Sequence, residues 1–185
     1  MKRRLFRIAA VLFISFQLLV HTALCEPHLL RSFSINGSAM SNTLVNGEVV
    51  LGEILSESED VRRGDVIICH YPDRGDTFFV KRLVALPGDT VAMRDGHLYV
   101  NGRQIADPEK MNQPPNYRFS DYLLKDDEYF VLGDNRGNSN DSHSIGPIPR
   151  SMIIARVTTV IWPLNVLRSV DNEFTAVKES PLTSP

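Results

Sequence analysis

Apolar and polar residues alternate in short runs from about residue 30 onward, and this pattern predicts a chain built mainly of β-strands. Glycine-containing turn signals separate the runs, among them Asn46-Gly47 and Asp95-Gly96. Asp95-Gly96 stands between two alternating runs and predicts a two-residue hairpin. Turns at this spacing favour an all-β domain with a strongly bent or barrel-like antiparallel sheet. The predicted strands cover residues 30–35, 48–53, 65–70, 77–86, 90–94, 97–100, 128–132 and 155–161.

Two stretches lack this alternation. Residues 106–125 contain Pro108, Pro114 and Pro115 among many polar residues, which indicates an irregular excursion rather than core. From residue 171 to the last residue the chain is polar, and we expect a disordered tail there.

The first 25 residues have a different character. Lys2, Arg3, Arg4 and Arg7 precede an apolar run over residues 8–24, which is typical of a signal peptide or a retained signal anchor. Retention as a transmembrane helix and cleavage after Cys25 both stay open. In either case the basic flank predicts a cytoplasmic N-terminus and an extracytoplasmic domain over residues 26–170. With the anchor retained, the protein would be a single-pass protein of the plasma membrane.

Composition narrows the possible functions. The 185 residues include 20 Lys and Arg against 22 Asp and Glu, a net charge of −2, which disfavours a nucleic-acid binder. The two cysteines, Cys25 and Cys69, cannot form a disulfide scaffold, and Cys69 reads as a small buried hydrophobic residue. No Cys/His cluster has zinc-like spacing, so we expect no metal.

Three segments contain residues that could carry chemistry. Residues 35–44 hold small and hydroxyl residues after a strand, and residues 133–146 form a loop dense in hydrogen-bonding side chains. Between them, Lys81 lies in an apolar strand, where lost hydration lowers the pKa of the amine and makes it a competent general base. The alternatives are two ordinary polar loops and a lysine whose ammonium reaches water. A Ser-His-Asp triad within 133–146 is disfavoured, because triad members usually come from separate elements.

Together these segments resemble the type I signal peptidases, membrane-anchored Ser/Lys endopeptidases, in their compact Gram-positive form. The loop Gly133-Asp134-Asn135-Arg136 with Ser139, Asp141-Ser142 and Gly146 is similar to the signature loop of the family. Lys81-Arg82 followed by Leu86-Pro87-Gly88-Asp89 is similar to its lysine segment. The likeness extends from the N-terminal segment to about Pro163. The autoproteases related to LexA use a similar Ser/Lys fold, but the absence of a DNA-binding domain counts against them.

The resemblance implies a bent β domain with a secondary excursion at about residues 95–127. It also implies endoproteolytic removal of signal peptides by a serine nucleophile, with backbone N–H groups at the oxyanion and no cofactor. Lys81 matches the general base, and Ser139 matches the hydroxyl that orients it. The matching supporting residues are Asp141, Asp134 and Arg136, and the matching substrate-binding residues are Gly37 and Met40.

The chain departs from the family pattern at the nucleophile. Ala39 stands at the serine position and Asn42 at a proline position, so the matched position cannot form an acyl-enzyme. Ser38 and Ser41 are adjacent hydroxyls. On an extended segment, however, Ser38 would face the opposite side and Ser41 would lie about 6.6 Å further along. His143 replaces a typical arginine and would pair with Asp141 only when charged.

Two hypotheses follow. The first is a working leader peptidase with a displaced nucleophile, for which Ser38 is the candidate. The second is a catalytically inactive relative that binds extended peptides or assists assembly of surface structures such as pili. The expected partners are extended signal peptides of precursor proteins, membrane lipid and, under the second hypothesis, pilin or other surface subunits. Peptide would bind by β-strand addition, with small side chains beside Ala39 and Lys81.

Overall fold

The computed structural model describes residues 29–41, 43–72, 74–105 and 118–172. The predicted anchor, Cys25, Asn42 and the tail from residue 173 lie outside these ranges. Within the described ranges, no helix has both the length and the apolar character needed to cross a bilayer.

The larger of two antiparallel sheets contains seven strands: β1 (Leu30–Ser34), β2 (Val49–Ile54), β3 (Val66–Cys69), β4 (Phe79–Ala85), β9 (Phe130–Leu132), β10 (Ile153–Trp162) and β11 (Arg168–Ser169). Their order is β1-β2-β10-β3-β4-β9, with β11 paired to β10. The prediction of a mainly β fold is therefore confirmed. Among the described strands, β1 and β9 form the two edges of this sheet, so these strands do not close into a barrel.

The long strand β10 organises this sheet. Its ten residues pair with β2 on one side and β3 on the other, and register shifts in both ladders bend the strand. Its inward positions Ala155, Val157 and Val160 are fully buried in the core beneath β1 and β2. The alternating pattern in the sequence reflects this one-sided burial.

A second, four-stranded sheet in the order β7-β6-β5-β8 follows β4 in the chain. The predicted hairpin is confirmed: Arg94 pairs with His97, and Asp95 and Gly96 both take positive φ angles, of 50° and 76°. Residues 119–123, expected to be irregular, instead form an edge strand on β5. The strands are β5 (Thr90–Arg94), β6 (His97–Val100), β7 (Arg103–Gln104) and β8 (Phe119–Leu123).

Helical structure in the described ranges is short. The α-helix α1 (Ser142–Ile145) and a 3₁₀ turn at Arg136–Asn138 both lie in the loop that follows β9. Two further 3₁₀ turns, Arg150–Met152 and Leu164–Val166, flank β10. The polar loop after β9 is thus compactly folded, and four of its polar residues (Asp134, Arg136, Asp141 and Ser142) are buried.

Candidate active site

A cavity of about 640 Å³ lies between the segment that contains β1 and the beginning of β4. We call it the cleft. Two stretches of chain form its walls, residues 31–40 and residues 77–81, and Ile68, Asn138 and Asn140 complete the lining. Ala39 and Lys81, which the sequence analysis placed in one site from separate motifs, therefore do line one cavity.

Lys81 is 3% exposed. It pairs with Ile67 on β3, and the apolar residues Val80 and Leu83 lie near it on its own strand. Burial is the largest influence on its amine and lowers its pKa, against the opposing influence of Asp141, Cys69 and Asp134. The direction agrees with the expectation from the sequence. The Lys81 side chain makes no hydrogen bond with any residue that the structure describes, and its amine does not extend to the surface. Its environment therefore favours the neutral amine.

Cys69 lies on β3 close enough to influence Lys81. It is a free, fully buried thiol, as the sequence analysis predicted. Burial raises its pKa to about 12, so the sulfur is a neutral neighbour of the lysine at physiological pH.

The segment that contains Ala39 is a tight turn, not an extended strand. The carbonyl of Ser38 accepts the Ser41 N–H at 3.0 Å, and the carbonyl of Met40 accepts the N–H groups of Thr43 and Leu44. The alternation of faces along an extended segment therefore does not apply to Ser38 and Ser41, because this segment lacks the geometry of a strand. Met40 anchors the turn: its side chain is 1% exposed and packs in the core.

The hydroxyls of Ser38 and Ser41, on either side of Ala39, both form hydrogen bonds with other groups. The Ser41 hydroxyl donates to the carbonyl oxygen of Ser38 at 2.7 Å. The Ser38 hydroxyl accepts a hydrogen bond from Asn138 Nδ2 at 2.8 Å. Within the described ranges, neither hydroxyl forms a hydrogen bond with Lys81. The cleft therefore holds a buried amine and a serine that lines the same cavity, but no paired nucleophile and base.

The loop after β9 holds the turn through backbone contacts. The Asn135 N–H donates to the carbonyl oxygen of Ala39 at 2.9 Å, and Asn135 Nδ2 donates to that of Ser38 at 3.0 Å. Gly133 makes this approach possible: a Cβ atom there would lie 2.3 Å from Ser139 Oγ and 2.6 Å from the Ala39 carbonyl oxygen. The Ser139 hydroxyl is buried in this crowded space with no hydrogen-bond partner among the described residues.

A buried ion pair fixes the same loop to β4. Arg82, adjacent to Lys81, donates to both carboxylate oxygens of Asp134 at 2.9 and 2.8 Å, and both side chains are at most 3% exposed. Asp134 also accepts from the Thr43 hydroxyl, so it joins β4 to the turn that contains Ala39. Strand β4 therefore buries two successive cations, Lys81 and Arg82, each 3% exposed.

Asp141 and Arg136 stabilise the loop from within. The Asp141 carboxylate accepts the Gly133 N–H at 2.9 Å and, as the cap of α1, the His143 N–H at 3.3 Å. Arg136 Nε donates to the Gly133 carbonyl at 2.9 Å. The His143 side chain is exposed, and its Nδ1 lies 3.1 Å from the Ser144 hydroxyl. Gly37, with a φ of 111°, allows the chain to leave β1 and enter the turn.

Sequence reasoning missed several residues that position the site. Asn135 and Asn138 hold Ser38 and Ala39, and Arg168 donates to the Thr43 carbonyl at 2.8 Å while it pairs with Glu48. The asparagines belong to a loop that was identified as a whole, although nothing local to them indicates their partners. Arg168 carries no signal, because its contact is 125 residues away in the chain.

Comparison with known proteins finds similar sequences in one family. The sequence profile of the family described as "Signal peptidase, peptidase S26" matches residues 4–162. A probable signal peptidase I-2 of Synechocystis sp. is 36% identical over 155 residues, which cover 80% of this chain and 71% of the relative. Signal peptidase I T of Bacillus subtilis is 33% identical over 171 residues, 86% of each chain. A crystal structure of a signal peptidase I from Enterococcus faecalis is 31% identical and covers 54% of this chain and 98% of that one. Its TM-score of 0.46 is too low to bear on the fold.

Proposed function

Because the chain belongs to the signal peptidase family, we propose that its cleft binds signal-peptide segments of precursor proteins in an extended form, and that the chain does not cleave them unaided. The proposed lack of cleavage rests on one observation. The Lys81 amine is buried and has no hydroxyl partner in the described ranges, and the turn that lines the same cleft presents Ala39.

Binding is supported by two unpaired strand edges along the cleft. β1 is an edge strand of its sheet. On β4, pairing with β9 begins at Arg82, so Phe79–Lys81 pair only with β3 among the described strands. Backbone N–H and C=O groups on such edges can pair with an added peptide strand. Gly37 and Ala39 leave room for small side chains at the Lys81 end of the cleft.

The lack of cleavage follows from the chemistry of the retained base. A neutral lysine can only activate a hydroxyl that lies within hydrogen-bond reach. Ala39 supplies none, and removal of a nucleophile usually costs several orders of magnitude in rate. Lys81 and Asp141 would then serve as the base and the supporting acid of a site that has lost its attacking group. The Ser139 hydroxyl, which the resemblance matches to the group that orients the lysine, has no hydrogen-bond partner among the described residues.

A second candidate function is cleavage through Ser38, which lines the same cleft as Lys81. Its hydroxyl would have to leave Asn138 and reach the lysine amine. The membrane anchor over residues 1–25 and a role with pilin or other surface subunits stay predictions from the sequence.

The test uses the full chain in detergent with a fluorogenic signal-peptide substrate. We expect no turnover by the parent, turnover by Ala39→Ser, and none by the matched control Ala39→Ser/Lys81→Ala. Binding of an uncleavable peptide should be similar in all three. Turnover by the parent that is lost in both Ser38→Ala and Lys81→Ala would instead establish the second candidate. Absence of peptide binding in the folded parent would refute the proposal.

A further inference from the structure

The end of the cleft away from Lys81 carries a cation with no counter-charge. Arg31 is exposed on β1, and its guanidinium stands 5.3 Å from the centroid of the Phe33 ring and 5.2 Å from that of Phe78. Phe33 and Phe78 contact each other edge to face at 5.5 Å. The two rings therefore orient the guanidinium at the mouth of the cleft by cation–π attraction. The Arg31 side chain makes no hydrogen bond or ion pair with any residue that the structure describes.

The rest of the lining leaves this charge uncompensated. Arg31 and Lys81 are the two ionisable residues among the described residues that line the cleft, and the lining includes no Asp or Glu. Lys81 is buried and biased toward its neutral form. The cleft of a protein with a net charge of −2 is thus positive at one end, through Arg31.

A second arginine shows what this arrangement lacks. Arg94, on the other sheet, also stands over an aromatic ring, that of Tyr99 at 5.5 Å. Its Nη2 donates to both carboxylate oxygens of Asp121, at 2.6 and 2.7 Å. The planar fork of a guanidinium matches a carboxylate, and an aromatic ring on one face leaves that fork available. Arg31 has aromatic rings beside its guanidinium but no carboxylate partner among the described residues.

We propose that Arg31 is a specificity-determining residue of the cleft, which binds the carboxylate of an acidic side chain on the bound peptide. The inference rests on the proposed function, because it requires a peptide in the cleft. Phe78 precedes Lys81 by three residues of extended chain, or about 10 Å at ~3.3 Å per residue. The acidic residue therefore lies about three residues from the peptide residue beside Lys81.

The experiment measures binding of short, C-terminally amidated peptides to the full chain in a zwitterionic detergent by fluorescence anisotropy. Each peptide carries an Ala-x-Ala segment, a neutral fluorophore and a single Glu, placed at a different position in each peptide. A matched peptide has Gln in place of Glu. Amidation removes the terminal carboxylate, and peptides with a free C-terminus form a separate arm that identifies any contribution from that source.

We expect one position at which Glu is preferred to Gln by about two- to fivefold, the range for a partly exposed ion pair. Arg31→Gln should abolish that preference, and Arg31→Glu should replace it with a preference for Lys. The control Arg94→Gln removes an equal charge from another arginine–aromatic pair and should leave the preference unchanged.

The outcomes separate the two proposals. If peptides bind but no position prefers Glu, or if the preference survives in Arg31→Gln, the role of Arg31 is refuted and peptide binding stands. A preference confined to the free C-terminus refutes the side-chain assignment. If no peptide binds the folded parent, both proposals fail. The comparison of Glu and Gln peptides on the parent needs no variant, so it holds even if a substitution impairs folding.

Discussion

Lys81 and Ala39 line the same cleft, but the fold holds them in different ways. Lys81 is fixed by its side chain, which is buried among strands and electrostatically coupled to Asp141 and Asp134. Ala39 is fixed by its backbone, because its carbonyl accepts the Asn135 N–H and packs over Gly133. The side chain at position 39 makes no contribution to these contacts. The residue at position 39 can therefore change while the groove, Lys81 and the loop keep their arrangement.

The largest effect is expected where buried side chains hold the site in place. Asp134→Asn leaves Arg82 buried with half of its ion pair removed, and we expect a loss of about 3–5 kcal/mol in the free energy of unfolding. Urea denaturation measures it. The control Asp121→Asn breaks the exposed pair with Arg94 and should barely change stability. Equal losses in the two variants would contradict the view that the buried pair holds the site.

A substitution at Gly133 tests whether backbone contacts position the turn that contains Ala39. In Gly133→Ala the new methyl group meets Ser139 and the Ala39 carbonyl, so the turn must move away from the loop. We expect a loss of about 1–3 kcal/mol in stability, typical of overpacking, together with weaker peptide binding. Gly137→Ala, at an exposed position in the 3₁₀ turn of the same loop, is the control. If Gly133→Ala binds peptide as the parent does, the close approach is not what positions Ala39.

Lys81 should lower the stability of the fold. Its pKa is lowered from 10.5 in the folded protein by burial, so between the two pKa values the unfolded chain binds more protons and stability rises with pH. Lys81→Met removes this dependence. We expect the variant to be more stable than the parent at neutral pH, with a difference that narrows as pH approaches 10.5.

Urea denaturation at several pH values measures this difference. The control Lys125→Met alters a lysine that is 80% exposed and should leave the pH profile of the parent intact. A difference between the parent and Lys81→Met that stays constant with pH would mean that Lys81 titrates normally.

The smallest expected effect is at Asn138. Its hydrogen bond to the Ser38 hydroxyl is exposed, so Asn138→Ala should change the free energy of unfolding by no more than about 1 kcal/mol. The variant frees the Ser38 hydroxyl within the cleft. We expect no cleavage of a signal peptide by it, because Ser38 remains on a turn whose geometry the backbone sets. Lys81-dependent cleavage in Asn138→Ala would show that Asn138 alone withholds the nucleophile.

The sequence predicted those parts of the molecule that depend on local interactions. The hairpin at Asp95-Gly96 is one, because both turn residues adopt a left-handed conformation that this dipeptide favours. Lys81 is another, because its apolar neighbours on the strand are sufficient to indicate burial.

Long-range pairing explains the errors. The strand Phe119–Leu123 has four exposed residues of five and exists because it pairs with β5. The burial of Arg82 depends on Asp134, which is 52 residues away in the chain. The sequence did not predict how the turn that contains Ala39 is held, because its contacts with Asn135 and Asn138 come from a loop about 100 residues further on.

The backbone anchoring of Ala39 also has an evolutionary consequence. Serine and alanine codons can differ by a single base, and the carbonyl that holds this turn is common to both residues. Selection for a folded protein therefore cannot distinguish them, and only selection on proteolysis can. A lineage could silence or restore such an enzyme in one step, without passing through an unstable intermediate.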